Sequence, residues 1–230
     1  MSASSKGLNV KTRRVISYVV LVIVTIMCLF WFYVLFVNST RSHADLTKGF
    51  SALPSTSALK NVNSLLHSSN IPILSGLLNS VIVAAFTALL STYFSTMTAY
   101  ALVAYDWKLR KPFFTLIMCV LMIPAQVTSI GFYQFVYKIG LTNNFLALIL
   151  PSIAAPTVVF FMRQYMIPAL PMEILQSARI DGAGEIRIFN QIALPMMKPA
   201  MATQAIFAFV TSWNTLFLPQ ILLIDTEKHT

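Results

Sequence analysis

Residues that could carry acid–base, metal or phosphate chemistry are few in this chain of 230 residues. The histidines His43, His67 and His229 are far apart in sequence, and no Cys/His spacing typical of a metal site occurs. A Gly-x-x-x-x-Gly-Lys phosphate loop is also missing, since Gly182 and Gly184 precede no Lys-Ser or Lys-Thr pair. We therefore predict no catalytic residue and no metal site, and an enzyme is a disfavoured function.

The acidic residues point to one segment, because three of the 7 Asp and Glu residues lie within residues 163–198. On spacing alone, this segment is an amphipathic connector between other elements rather than a docking element for a partner. Both interpretations remain open at this point. The three acidic residues are Glu173, Asp181 and Glu185.

The same segment has the pattern of two short helices with a tight bend between them. Pro171 can begin the first helix, and no helix breaker follows until Gly182. Gly182 suits the bend, because glycine accepts a positive φ or the close approach of another backbone. The second helical piece covers residues 185–194, and we expect Pro195 to end it. Its shared apolar face is formed by Ile188, Phe189 and Ile192.

The elements that must position this segment are membrane spans. The sequence is 57% hydrophobic and only 10% charged, whereas soluble domains carry about 25% charged residues. Helices are the expected spanning form, because each backbone N–H must be satisfied within its own segment. Cys28 and Cys119 lie inside apolar runs and are predicted to be packing residues rather than a disulfide. The predicted spans are residues 15–37, 76–105, 112–137, 139–162 and 199–224.

The basic residues set the predicted orientation. With a cytoplasmic N-terminus, 11 Lys and Arg residues lie in inside segments and 5 lie outside, as the positive-inside rule requires. The first span is predicted to be retained rather than cleaved as a signal peptide. Residues 1–14 then form a cytoplasmic tail, residues 38–70 cap the outer face and residues 225–230 form an external tail. The net charge of +9 lies in residues that flank apolar runs, so we predict no nucleic-acid partner.

Several motifs resemble one known family. The stretch from Glu173 to Ala183, followed by Phe189 and then Leu194-Pro195, resembles the EAA loop of ABC importer permeases. Its Ala-Arg-Ile-Asp-Gly-Ala form is similar to the carbohydrate-uptake, maltose-type permeases. The resemblance covers most of the chain from about Leu74 onward. Supporting motifs in the predicted spans are Asn79-Ser80, Ala99-Tyr100-Ala101, Met122 to Gln126, and Ser212-Trp213-Asn214.

The resemblance implies a fold, partners and a mechanism. It implies a multi-pass permease of the bacterial cell (inner) membrane, in contact with lipid, with an all-α bundle of transmembrane helices and a cytoplasmic two-helix coupling loop at residues 163–198. Its partners would be cytoplasmic ATPase subunits, a second permease subunit and an extracytoplasmic sugar-binding protein. This chain would bind no cofactor itself, and ATP would act through the partner ATPase. The chain would form half of the path for the sugar. The residues implied in ATPase coupling are Glu173, Gln176, Ala178, Asp181, Gly182, Ala183, Phe189 and Pro195.

The coupling loop departs from the family pattern at one point. The family often has Glu-Ala-Ala where this chain has Gln176-Ser177-Ala178. The missing carboxylate removes a salt bridge to the ATPase, whereas Gln keeps the shape and the hydrogen bonds. We therefore expect coupling to be retained but to depend less on charge.

The candidate translocation path consists of amide side chains within the spans, at Asn79, Gln126 and Asn214. Serine and threonine hydroxyls in the spans also suit a sugar, but they are ordinary contacts between membrane helices. An unpaired amide is costlier in lipid, so the amides are the stronger candidates. No Asp, Glu, Lys or Arg lies within a predicted span, which disfavours the alternative of a stand-alone secondary transporter or channel.

The family expectation is six spans, and five are predicted here. We expect the sequence to be a truncated form that lacks the last span, rather than a naturally shortened subunit. The identity of the sugar does not follow from the sequence.

Overall fold

The computed structural model describes residues 9–67, 72–225 and 228, with side-chain positions for all of these except 125 and 126. Regular structure within this part of the chain is helical, without a strand, which confirms the predicted all-α class. The helices in chain order are α1 Val10–Ser39, α2 His43–Leu46, α3 Ala58–Leu66, α4 Ile73–Ala104, α5 Arg110–Leu121, α6 Ala125–Lys138, α7 Leu146–Ser152, α8 Pro156–Ala169, α9 Met172–Ile180, α10 Glu185–Ile188, α11 Leu194–Trp213 and α12 Phe217–Leu222.

Four helical segments among the described residues are long and apolar enough to cross a membrane. The first two match the predicted spans 15–37 and 76–105, which lie within α1 and α4 apart from the last residue of the second. The predicted count of five is approximate, because the remaining segments are interrupted. The four segments are Val10–Ser39, Ile73–Ala104, Leu146–Ala169 and Glu185–Trp213.

The predicted third span, residues 112–137, is two shorter helices. Helix α5 ends at Leu121, and α6 begins at Ala125 after Pro124, which has extended backbone. Proline has no N–H to donate, and its ring also disfavours helical geometry at the preceding residue. The absence of charged residues from the stretch, on which the predicted span rested, does not reveal this break.

The last two predicted spans also have different bounds in the structure. Residues 139–162 do not form one helix, because Gly140 and Asn143 have positive φ values of 68° and 58° and the helix starts only at Leu146. A second break at Ala155 precedes α8, which continues to Ala169. The predicted span 199–224 is α11, which begins earlier, followed after a turn by α12.

Pro195 does not end the second helical piece of residues 163–198, contrary to the prediction. A π-helical turn, Phe189–Ala193, joins α10 to α11, and Pro195 lies in the first turn of α11. Proline in a helix removes one hydrogen bond and its ring clashes with the carbonyl four residues earlier. The wider π-helical turn shifts that carbonyl, which explains why the helix continues through Pro195.

The chain divides into two compact units, Met1–Ile71 and Pro72–Thr230. In the first unit, α1 is almost entirely exposed, as expected for a span that faces lipid, and the following segment folds around Arg41. Arg41 is 6% exposed, and its guanidinium donates to the carbonyl of Gly49 at 2.8 Å and to that of Asp45. Asn61 donates to the carbonyls of Ser39 at 2.8 Å and Arg41 at 2.9 Å, which fixes α3 against the end of α1.

The second unit has its main core where α4, α8 and α11 meet the segment 172–193. These helices pack through buried alanine, methionine and aromatic side chains. The buried members are Ala99, Tyr100, Ala104, Val158, Met162, Met166, Leu170, Leu175, Ile188, Phe189, Ala193 and Met197. The core therefore anchors the predicted coupling loop to the transmembrane helices.

Candidate functional site

The bend of the loop is a Schellman motif. Helix α9 covers Met172–Ile180, as predicted, and Gly182 has a φ of 81°. The Ala183 N–H donates to the carbonyl of Ala178 at 3.0 Å, and the Gly182 N–H donates to that of Arg179 at 3.0 Å. These two bonds satisfy carbonyls at the end of α9, and they require a residue that accepts positive φ at Gly182. Ala178 and Ala183 are both partly buried against the core, which explains the small side chains at these positions.

Charged and phenolic side chains close the bend on one side. Arg179 of α9 forms a salt bridge with Glu185 of α10, with Nε 2.7 Å and a second guanidinium nitrogen 3.3 Å from the carboxylate oxygens. The Tyr105 hydroxyl, directly after α4, donates to the same carboxylate. The Arg179 guanidinium also lies over the Tyr105 ring, 5.2 Å from its centroid. Burial raises the pKa of the Tyr105 phenol, and the hydrogen bond to Glu185 raises it further. The hydroxyl therefore stays protonated and can donate.

One face of the loop is exposed. Ile180 and Ile186 are 86% and 81% exposed, although isoleucine is among the most frequently buried residue types. Four predicted coupling residues are exposed with them: Glu173, Gln176, Asp181 and Gly182. Exposed apolar side chains next to polar ones are typical of a surface that another protein covers.

The opposite face of the loop is core. Phe189 is 3% exposed, and its ring contacts those of Tyr100 at 5.4 Å and Tyr93 at 5.7 Å on α4. Ile188 is fully buried, so the predicted apolar face of the second piece is confirmed. Phe189 therefore packs within this chain, whereas Pro195 is exposed at the start of α11.

A cavity of about 600 Å³ lies among α4, α7, α8, α11 and α12. Two helical faces supply most of its polar groups, with Ser80, Thr87 and Ser91 on α4, and Gln204 and Thr211 on α11. The Thr87 hydroxyl is buried without a hydrogen-bond partner among the described residues. The arrangement offers hydroxyl and amide groups to a ligand within a largely apolar wall.

The predicted path residues are placed differently from the cavity lining. Asn214 directs its side-chain amide to the carbonyl of Val210, 2.9 Å away, and neither it nor Asn79 is among the described residues that line the cavity. The side chain of Gln126 lies outside the described part of the chain. Their role in transport stays a prediction.

The cavity-lining residues recur at helical spacing in the sequence, and a search for amide side chains alone does not find this pattern. On α4 the lining residues Ser80, Val83, Thr87 and Ser91 follow a spacing of three, four and four residues. On α11 and the residues after it, Gln204, Ala208, Thr211 and Thr215 repeat at four, three and four residues. This spacing places each set on one helical face, and a search for such polar faces would have identified them.

Comparison with known proteins identifies the family. The family model described as the binding-protein-dependent transport system inner membrane component matches residues 91–226. The chain belongs to this family, which confirms the resemblance seen in the loop, and it is a multi-pass membrane protein.

Two relatives and one solved structure show the extent of the similarity. The arabinooligosaccharides transport system permease protein AraQ of Halalkalibacterium halodurans is 42% identical over 152 residues, which are 66% of this chain and 54% of that protein. The sn-glycerol-3-phosphate transport system permease protein UgpE of Yersinia pestis is 29% identical over 229 residues, 96% of this chain and 81% of that protein. A crystal structure of a bacterial ABC transporter for the import of the acidic polysaccharide alginate has a chain with a TM-score of 0.81 at 24% identity, covering 97% of this chain and 79% of that chain.

The matched region is about half the length of the AraQ relative. The solved structure supports the fold alone, since its sequence identity is low.

Proposed function

We propose that this chain is the membrane-spanning subunit of an ATP-driven importer of sugars, in which residues 163–198 dock onto a separate ATPase subunit. The observation that carries the proposal is the exposed face of the loop. In a member of this permease family, a rigid Schellman bend presents Ile180 and Ile186 to the outside while the other face is locked into the core. Such a surface suits a protein partner, and ATP binding and hydrolysis would take place on that partner.

The substrate class is supported by the cavity and by one relative. Hydroxyl and amide groups of residues such as Gln204 and Thr211 provide uncharged donors and acceptors, which suit the hydroxyl groups of a sugar. The AraQ relative is named for transport of arabino-oligosaccharides. We propose a short oligosaccharide of this kind, delivered by an extracytoplasmic binding protein to a path shared with a second permease subunit.

The proposed function predicts ATP-dependent uptake by the assembled complex. Membranes from cells that express the tagged chain with its neighbouring genes would be solubilised, purified and reconstituted in vesicles with the binding protein. We expect an ATPase to copurify and labelled arabino-oligosaccharide to enter only with ATP. Uptake that proceeds without ATP and without an ATPase would contradict the proposal and favour the stand-alone transporter or channel.

We also propose that the N-terminus is cytoplasmic. The support is the asymmetry of 11 inside against 5 outside basic residues, because positive charge is retained on the cytoplasmic side. The loop 163–198 is then cytoplasmic, where an ATPase can reach it, and residues 38–70 are external.

Cysteine labelling of intact cells measures this orientation. In a background with Cys28 and Cys119 replaced, we expect an impermeant maleimide to label Thr56→Cys but not Asp181→Cys, although both positions are exposed in the structure. After the cells are opened, both variants become labelled. Labelling of Asp181→Cys in intact cells would show that the orientation is inverted.

A further inference from the structure

We propose that Arg179, Glu185 and Tyr105 form a positioning cluster that makes the loop and α4 move together, so that displacement of the loop by the ATPase reaches the cavity wall. This inference rests on the proposed function, and it assigns a role to side chains outside the exposed docking face. Throughout, the positioning cluster means these three residues.

The geometry of the positioning cluster joins three separate pieces of chain. The Glu185 carboxylate accepts hydrogen bonds from Arg179 on α9 and from the Tyr105 hydroxyl at the end of α4. Tyr105 and Glu185 are 80 residues apart in sequence. Two guanidinium nitrogens engage the carboxylate, and such forked contacts fix direction as well as distance. The orientation of the loop is therefore tied to the position of Tyr105.

The positioning cluster is better suited to fixing geometry than to stabilising the fold. The side chains of Arg179 and Glu185 are 31% and 44% exposed, and partly exposed ion pairs contribute little to stability. Burial of Leu175, Ile188 and Phe189 already holds the loop against the core. Ordering three side chains costs conformational entropy, and this cost is better explained if the cluster fixes the position of the loop than if it stabilises the fold.

Further contacts extend the connection along α4. The Tyr105 ring meets Tyr100 edge-on at 5.7 Å, and Tyr100 packs on Phe189 of the π-helical turn at 5.4 Å. Nearer the cavity, the Tyr93 hydroxyl donates to the side-chain carbonyl of Asn190 at 3.0 Å. The Tyr100–Phe189 and Tyr93–Asn190 contacts join the segment after Gly184 to α4, and the Tyr105–Tyr100 contact links the positioning cluster to them.

Helix α4 carries this interface to the cavity. Ser91 lines the cavity, and the helix continues to Ala104 without a break. At 1.5 Å per residue, the intervening helix spans about 20 Å. Residues 91–104 contain no proline or glycine, which are common causes of a kink. A shift of the cytoplasmic end of α4 therefore also moves Ser91. The positioning cluster thus lies at the end of α4, where loop motion first reaches this helix.

The test separates coupling from docking in the reconstituted complex with its ATPase, second permease and binding protein. Glu185→Gln removes the charge, and Tyr105→Phe removes one hydroxyl with little risk to folding. We expect each to lower sugar uptake per ATP hydrolysed about threefold to tenfold, while the amount of copurified ATPase is unchanged. The double variant should take up as much sugar per ATP hydrolysed as the more impaired of the two single variants, because both substitutions break the same cluster.

A matched control is Asp106→Asn, which removes a carboxylate next to Tyr105 that is 95% exposed and, among the described residues, pairs only with Arg110 of the following helix, at 3.7 Å. It should leave the uptake per ATP at the wild-type value. Unchanged coupling in both cluster variants, additive losses in the double variant, or loss of ATPase association by Glu185→Gln would each overturn the positioning role. Uptake by the wild type that needs no ATP would instead overturn the proposed function.

Discussion

Sugar uptake by a Gly182→Val variant is expected to fall to background while the protein remains in the membrane. Gly182 has a φ of 81°, in the left-handed region that L residues avoid and β-branched residues avoid most strongly. The conformational cost is about 1–2 kcal/mol for an ordinary L residue, and more for valine. Relief of this strain would break the two hydrogen bonds from Gly182 and Ala183 that close the bend. The exposed face with Ile180 and Ile186 would then lose the shape that the ATPase must fit.

The space around Gly182 shows which cause is at work. A Cβ atom at this position would meet no atom of the described residues within 4 Å, so the expected effect comes from backbone conformation and from the partner's surface rather than from an internal clash. Uptake and copurification of the ATPase are the two measurements.

Two variants serve as controls for the glycine prediction. Gly182→Asn should keep much of the activity, because asparagine tolerates the left-handed conformation better than other residues. Gly184→Ala should be close to wild type, since Gly184 has a φ of −68° and open space for a Cβ. Normal uptake and normal ATPase association in Gly182→Val would show that this bend is not required for docking.

Blocking the cavity is expected to abolish uptake as well, but without releasing the ATPase. Thr211 lines the cavity and is exposed, so a Thr211→Trp side chain can enter the space without displacing the core. In this cavity of about 600 Å³, the indole would occupy a large part of the space that one sugar ring needs. We expect uptake to be lost, with the ATPase still copurified in wild-type amount.

Thr203→Trp provides the matched control on the same helix. Thr203 is exposed, and within the described part of the chain its hydroxyl bonds only to the carbonyl of Pro199, at 3.1 Å. It is not among the described residues that line the cavity. Its replacement should leave more of the uptake than Thr211→Trp does. Equal uptake by the two variants would show that the cavity is not on the sugar's path.

Local sequence chemistry was sufficient for the first helix of the loop and for the bend that follows it. Pro171, the breaker-free run to Ile180 and Gly182 predicted α9 and the bend correctly, because a helix start and a Schellman end depend on residues a few positions apart. The burial of Ile188 and Phe189 followed from the helical period alone. The shortage of charge likewise predicted an all-α membrane protein, since only helices satisfy backbone groups in each apolar run.

Helix breaks depended on more than apolar content. Residues 112–137 appeared to be one span because the stretch contains no charged residue, yet Pro124 separates α5 from α6. Pro195 was expected to end a helix and does not, because the π-helical turn before it provides room for the ring. Hydropathy describes which solvent a segment prefers. Whether a helix breaks or continues at a proline depends instead on the positions of the backbone carbonyls near the proline ring.

The sequence by itself determined that the protein spans a membrane, that its spans are helical and that the chain bends at Gly182, all of which arise from solvent preference and short-range backbone chemistry. The tertiary structure decided which distant side chains meet. Glu185 was read as one more acidic residue of the loop, but its carboxylate accepts from Tyr105, 80 residues away. The cavity is likewise formed by polar faces of α4 and α11 that meet only after the helices pack. Such juxtapositions depend on the crossing of whole helices, and no local pattern in either helix specifies its partner.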